Sequence, residues 1–176
     1  MIGFIGVKRV LPFLIAGILM LARAEAVAQS QTVKNLVSQG NALYLQGSYD
    51  EALAKYDEAI AADATYAVAH NNRGLALIRF GQVGGAIGAI EEAISLNATE
   101  KRFRLNLAKA YLEDDNPTSG VVTLDRLIAD HPDYKEAWFN RGWGHDEQGD
   151  FAAAATDYAG ALAIDPAYTK AMIGFG

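Results

Sequence analysis

Small and large apolar positions recur along this chain with a step of 34 residues. Gly40, Gly74, Ala108 and Gly142 form one column of small residues, and Ala52, Ala86, Gly120 and Ala154 form a second. Bulky groups follow at Tyr56, Ile90, Leu124 and Tyr158, then Ala59, Ala93, Leu127 and Ala161, then Ile60, Ile94, Ile128 and Leu162. Within a unit these last positions fall on one face of a helix, spaced i, i+4, i+7, i+8. A turn column, Gly47, Gly81, Asp115 and Gly149, divides each unit into two helices. The pattern predicts four units at 33–66, 67–100, 101–134 and 135–168. Their helices are expected at 33–46, 50–63, 67–80, 84–96, 101–114, 118–130, 135–148 and 152–164. No sustained apolar/polar alternation predicts a strand. Helices approach closely only where side chains are small, and large groups then fill the neighbouring grooves. One helical hairpin cannot bury its apolar faces alone, so the units must stack, each contacting its neighbours.

The fourth unit, Trp138-Phe139-Asn140-Arg141-Gly142 through Asp165-Pro166, and the first, Gly40-Asn41-Ala42-Leu43-Tyr44 through Ala59, resemble the tetratricopeptide repeat. The resemblance covers 33–168 and implies an all-α, right-handed solenoid of four stacked helix–turn–helix repeats. The third unit departs from the family pattern, with Gly120 where Ala is usual and Leu127 where a small residue is usual. A lost methyl beside a gained isobutyl roughly conserves volume, and this hairpin is expected to sit slightly out of line. Pro117 is expected at or just before the start of its second helix. Residues 169–176 begin a fifth unit, and a segment ending Gly-Phe-Gly is expected to be a poor helix and an incomplete cap. That would leave Leu162 and Ile164 partly bare.

The first 28 residues follow another rule. Lys8 and Arg9 precede an apolar run from Val10 to Ala22, and Ala26-Val27-Ala28 supplies small residues at a cleavage site. This describes a secretory signal peptide, cut after Ala28 or, as the alternative, after Ala24. The run is short against the roughly 20 residues of a bilayer span. An uncleaved segment anchoring the protein in the inner membrane is the other reading. Residues 29–176 would then form one repeat domain in the periplasm or outside the cell. The chain has no Cys, which excludes disulfides and a lipid-modified cleavage site. Its net charge is −6, and removal of residues 1–28 leaves 12 basic and 20 acidic residues, or −8. That balance, without a basic run, excludes a nucleic-acid footprint and an anionic lipid surface as partners.

Chemistry is sparse. His70, His131 and His145 have no second His or Cys at metal-ligand spacing, so no metal and no cofactor is expected. His70 and His145 occupy packing columns, and His131 lies in a turn between units. Gly81-Gln82-Val83-Gly84-Gly85 falls in a turn and not between a strand and a helix, where a phosphate loop would sit. Asn97-Ala98-Thr99 matches a glycosylation sequon. No catalytic constellation is present, and the chain is expected not to be an enzyme.

The resemblance implies that the first helix of each unit lines a concave groove through its positions 2, 5, 6, 9, 12 and 13. Position 6 reads Ser38, Asn72, Asn106 and Asn140. An Asn amide both donates and accepts, as a ladder along a peptide backbone requires. Lys34, Asn41, Asn71, Arg102, Lys109, Phe139 and Trp143 complete the candidate peptide-binding set. A family subtype clamps a terminal carboxylate, and Asn41, Asn72 and Arg102 match that clamp, whereas Val37 and Asn106 stand where it has Lys and Arg. The expected function is a scaffold of the cell envelope that binds a protein or peptide segment in this groove. The alternative is a structural homo-oligomer assembling through its uncapped last repeat.

Overall fold

The computed structural model describes the backbone of residues 7–174 and the side-chain surroundings of residues 19–172. Among them lie nine helices and no strand: α1 (Val7–Gln46), α2 (Tyr49–Ala62), α3 (Ala67–Arg79), α4 (Val83–Leu96), α5 (Lys101–Glu113), α6 (Pro117–Asp130), α7 (Lys135–Glu147), α8 (Phe151–Ile164) and α9 (Thr169–Gly174). Consecutive helices pack as antiparallel hairpins, and α1, α3, α5 and α7 also touch in sequence, forming the inner layer of the solenoid. The expected boundaries hold to within a residue, except at the start of α1, which continues upstream to Val7.

The four turns share one backbone solution. Ser48, Gln82, Asn116 and Asp150 donate their N–H groups to Leu43, Leu77, Tyr111 and His145 carbonyls at 3.0, 2.8, 2.9 and 2.9 Å. Together with the i→i−3 bonds of the residues before them, these close Schellman motifs on the last helical carbonyls. That motif requires a left-handed residue, supplied by Gly47, Gly81 and Gly149 at φ +84, +83 and +78°, and in the third unit by Asp115 at +54°. Pro117 is the first residue of α6, where its missing N–H costs little, and the Asn116 side chain caps the helix by accepting from Ser119 N–H at 3.2 Å.

The small-residue seam is buried. Ala52, Ala86 and Ala154 are at most 1% exposed. The first column explains itself by contact. A Cβ added to Gly40, Gly74 or Gly142 would lie 2.5, 2.5 or 2.6 Å from Tyr56, Ile90 or Tyr158, the bulky residue sixteen positions on. The third unit solves the same problem differently, pairing Ala108 with Leu124, both fully buried. Gly74→Ala alone is therefore expected to lose about 1–3 kcal/mol to overpacking, outweighing the ~1 kcal/mol that Ala gains over Gly in a helix. Adding Ile90→Leu, which copies the third unit, should recover much of the loss. Thermal melts of the two single variants and the double variant measure the coupling.

The departures in the third unit have a different cause from the one expected. The space a methyl would take at Gly120 is filled by Leu112, whose Cδ2 lies 2.9 Å from that added Cβ. Leu127 is fully buried among Leu105, Leu124, Ile128 and Ala137. The C-terminal segment also differs from expectation. Residues 169–174 are helical and bury Ala171 completely against Ala154, Tyr158 and Ala161. Ile164 stays 38% exposed and Leu162 is half-buried.

At the other end, residues 19–32 are exposed. Gln29 is the first described side chain bonded to another helix, donating to the Ala62 carbonyl at 2.7 Å. The charged and apolar entry of the expected leader, including Lys8 and Arg9, lies largely outside the residues whose side chains are described. Among the described residues no helix is long and apolar enough to cross a membrane.

Candidate peptide groove on the concave face

The inner layer presents its asparagines as one hydrogen-bonded chain. The Asn72 amide donates to Asn41 Oδ1 at 2.8 Å, joining α3 to α1. Asn71 donates to Asn72 Oδ1, and Asn106 donates to Asn71 Oδ1, both at 2.9 Å, joining α5 to α3. The Tyr56 hydroxyl anchors the start of the chain on Asn41 Oδ1 at 2.8 Å. These bonds hold the stagger of three helices and use part of each amide's capacity, since an Asn can donate two hydrogens and accept at two lone pairs. Asn71 is only 5% exposed and serves as the link, so it does not reach the surface as a peptide contact would need; the amides left facing the surface are those of Asn41, Asn72 and Asn106, preset by these bonds.

Asn140 is not part of this chain. It is 7% exposed, and its amide donates to the Glu136 carbonyl one turn back in its own helix at 2.6 Å. Phe139 packs between Tyr158 and Tyr168, each ring centroid 5.7 Å away. Trp143 donates to Glu147 at 2.9 Å. These three stand apart from the Asn41–Asn106 chain. Lys34 lies on the exposed stem of α1 beside Gln31. Arg102 is folded back on Glu100 by bonds of 3.0 and 3.2 Å. The carboxylate-clamp positions do not assemble: Val37 is 5% exposed and packs in the core, and Asn106 is bonded to Asn71.

The structure adds residues that the sequence reading did not single out. One concave cavity is lined by Asn41, Tyr44, Leu45, Tyr56, Asn72 and Leu75. A second shares Tyr44 and Leu75 with it and continues to Ile78, Arg79, Lys109 and Glu113. The two make one trough across α1, α3 and α5, apolar at one end and charged at the other. Tyr44, Leu75, Arg79 and Glu113 occupy positions 12, 9, 13 and 13 of their units, within the concave register, so their signal was available. The Arg79 guanidinium donates to the Tyr44 hydroxyl at 3.3 Å. Lys109 is accessible to solvent but crowded by the trough walls. Burial, then the nearby Lys170 and Arg79, pull its ammonium below the ordinary lysine range, with Glu113 acting against them.

Outside the trough, His70 has structural work. His70 Nε2 meets the Ala64 carbonyl at 2.9 Å, and Trp138 at the same unit position donates to the Pro132 carbonyl at 2.9 Å. Both tie a unit to the turn before it. Asn97 Oδ1 accepts from the Thr99 N–H and hydroxyl, closing the turn in which the sequon lies. Asp63 does the same with Thr65. Among the described residues no three His, Cys, Asp or Glu side chains come together as metal ligands.

Comparison with known proteins agrees with this architecture. A TPR repeat model matches residues 40–81, and a tetratricopeptide repeat model matches 105–169. The inactive TPR repeat-containing thioredoxin TTL3 of Arabidopsis thaliana is 33% identical over 91 residues, a match spanning 51% of this chain and 13% of that protein. Among solved structures, one from a functional characterization of Pseudomonas aeruginosa pilF superposes with TM-score 0.76 at 13% identity, covering 84% of this chain and 68% of that one. MamA from Desulfovibrio magneticus RS-1 gives 0.71 at 17% identity over 82% and 81%. YrrB, described as a TPR protein with an unusual peptide-binding site, gives 0.66 at 20% identity over 86% and 79%. With the repeat models on both halves and this fold between them, the chain is a tetratricopeptide-repeat protein.

Proposed function

We propose that this chain is a non-catalytic adaptor that holds an extended segment of another protein in its concave trough. The observation that carries the proposal is the trough itself. It crosses three helices, offers Tyr44, Leu45 and Leu75 as apolar contacts, and is lined by the amides of Asn41 and Asn72, which the bonds running on to Asn71 and Asn106 hold in place. Preorganised polar groups beside an apolar pocket lower the ordering cost of binding a flexible segment. The peptide-binding site described for YrrB supports the same use of this fold. Leu75→Asp places a charge in the apolar end and is expected to weaken peptide capture by at least about tenfold, roughly 1.4 kcal/mol, in a folded protein. Unchanged capture by a folded Leu75→Asp variant would reject the groove.

The proposed place of action is the cell envelope, after removal of residues 1–28. The exposure of residues 19–28 and the first inter-helix bond at Gln29 support that cut. The mass of the protein isolated from native envelopes checks it: a chain starting at Gln29 is expected, and an intact leader would leave the anchored alternative. Self-association through the last repeat is a second reading, favoured by Ile164 and Met172, which are 38% and 49% exposed. Sedimentation that stays monomeric at high concentration would remove it.

A further inference from the structure

We propose that the outer groove between the second and third units is a socket for Phe151 of a second copy of this chain. The contact joins copies head to tail and leaves their concave troughs open.

The last seam of the same molecule shows what the groove is shaped to hold. Between the third and fourth units Trp138 fills it. A Cβ added to Gly160 would lie 2.7 Å from the Trp138 ring, and the Arg141 guanidinium lies 4.9 Å from that ring's centroid. One 34-residue step earlier, Arg104 stands in place of the tryptophan and Arg126 in place of Gly160. Arg104 turns aside to Asp130 at 2.7 Å, and a groove of about 560 Å³ stays open between α4, α5 and α6. Ile94, Leu107 and Ala129 line it with apolar surface, and Arg104 and Arg126 border it. An aromatic ring supplied from outside buries its area there and meets a guanidinium, as Trp138 meets Arg141.

Exposure and charge identify the occupant. Phe151 is 71% exposed, the most exposed aromatic side chain among the described residues. The turn before it carries Asp146, Glu147 and Asp150 and no Lys or Arg. The middle groove sets two arginines against Asp130 alone, so its charge complements that turn. Phe80, 51% exposed, follows Arg79 in a stretch without an acid and lacks this match. The groove of the first seam is also open, at about 470 Å³, but Asp57 and Glu92 outnumber Arg73 there, which disfavours the same turn. Donor and socket are different surfaces, so the contact is heterologous and propagates from copy to copy. It uses neither Ile164 nor Met172. A string of open troughs holds a partner with several binding segments more tightly than one trough does.

The test mixes two preparations of the full chain, one with a benzophenone side chain in place of Phe151, the other labelled with heavy nitrogen. After illumination, mass spectrometry is expected to find the benzophenone attached to Ile94, Leu107 or Ala129 of the labelled copy. Arg104→Trp in the labelled copy refills the groove from within and should cut that yield about tenfold. Its melting temperature should not fall, because the ion pair it removes is largely solvent-exposed. Arg126→Glu, at an exposed position, should cut the yield as well and serves if Arg104→Trp does not fold. Leu75→Asp, which disables the concave trough, should leave the yield unchanged. Attachment that is absent, or that ignores both Arg104→Trp and Arg126→Glu in folded protein, would overturn the socket. Attachment lost in folded Leu75→Asp would place Phe151 in the trough and overturn it equally.

Discussion

Arg141→Met is expected to destabilise the protein by about 3–5 kcal/mol, the range for breaking a buried ion pair from one side. Arg141 sits where the third and fourth units meet. Its Nε and Nη2 donate to the two Asp157 carboxylate oxygens at 2.8 and 2.6 Å, and its Nη1 donates to Asp125 at 2.8 Å. Its guanidinium lies 4.9 Å from the Trp138 ring centroid. The Asp157 side chain is 4% exposed, so removing the arginine strands a buried carboxylate whose nearest remaining cationic candidate, His145, is 3.7 Å away. For a chain of this length the melting point should fall by about 10 °C. Because repeats couple only to their neighbours, hydrogen exchange should rise first in α7 and α8. Arg141→Met with Asp157→Leu removes the stranded charge and should restore most of the loss. A melting point unchanged by Arg141→Met would show that the pair is not buried as described.

Tyr56→Ala is the second large effect, with an expected loss of about 3–5 kcal/mol. The ring is 1% exposed, fills the space that Gly40 leaves open, and ends in the hydroxyl that holds Asn41. The variant therefore opens a cavity in the first hairpin and frees the end of the asparagine chain. Tyr56→Phe should keep the packing and lose only about 1 kcal/mol for the hydrogen bond. The same residue gives a pH signature. Burial pushes its phenol up to about 12, from an ordinary value near 10. The folded state then keeps a proton that the unfolded state releases, so this contribution is full below about pH 10 and is lost as pH rises toward 12. Tyr158 shifts the same way, by burial and by its hydroxyl's bond to Asp146. Alkaline unfolding in this window should be blunted in Tyr56→Phe.

The architecture was legible because close helix packing tolerates few residue types. Gly40, Gly74 and Gly142 had to be small with Tyr56, Ile90 and Tyr158 against them, so the period was written directly in the chain. Where one column broke the rule, at Gly120, the reason lay in Leu112, a neighbour that periodicity does not single out. The site was legible in its register but not in its membership. Positions 6 and 9 pointed correctly to Asn41, Asn72, Asn106 and Lys109 as inner-layer residues. Which of them bond to one another depends on the stagger of α1, α3 and α5, and this places Asn140 apart, bonded to its own helix. Arg79 and Lys109 lie in different units, and they line one cavity because α3 and α5 pack side by side. Arg73–Asp57 and Arg141–Asp125, both sixteen residues apart, show a repeating inter-unit ion pair that the charge pattern contained and the apolar reading passed over.

The account is tested most directly by locating a bound segment on the fold. A decapeptide with a central Leu, otherwise random and carrying a benzophenone side chain next to that Leu, would be cross-linked to the full chain by light, and the attachment sites mapped by mass spectrometry. Attachment to Tyr44, Leu75, Ile78 or Lys109, competed away by unlabelled peptide, is the predicted result. Competable attachment confined to the outer helices α2, α4, α6 or α8 would contradict it.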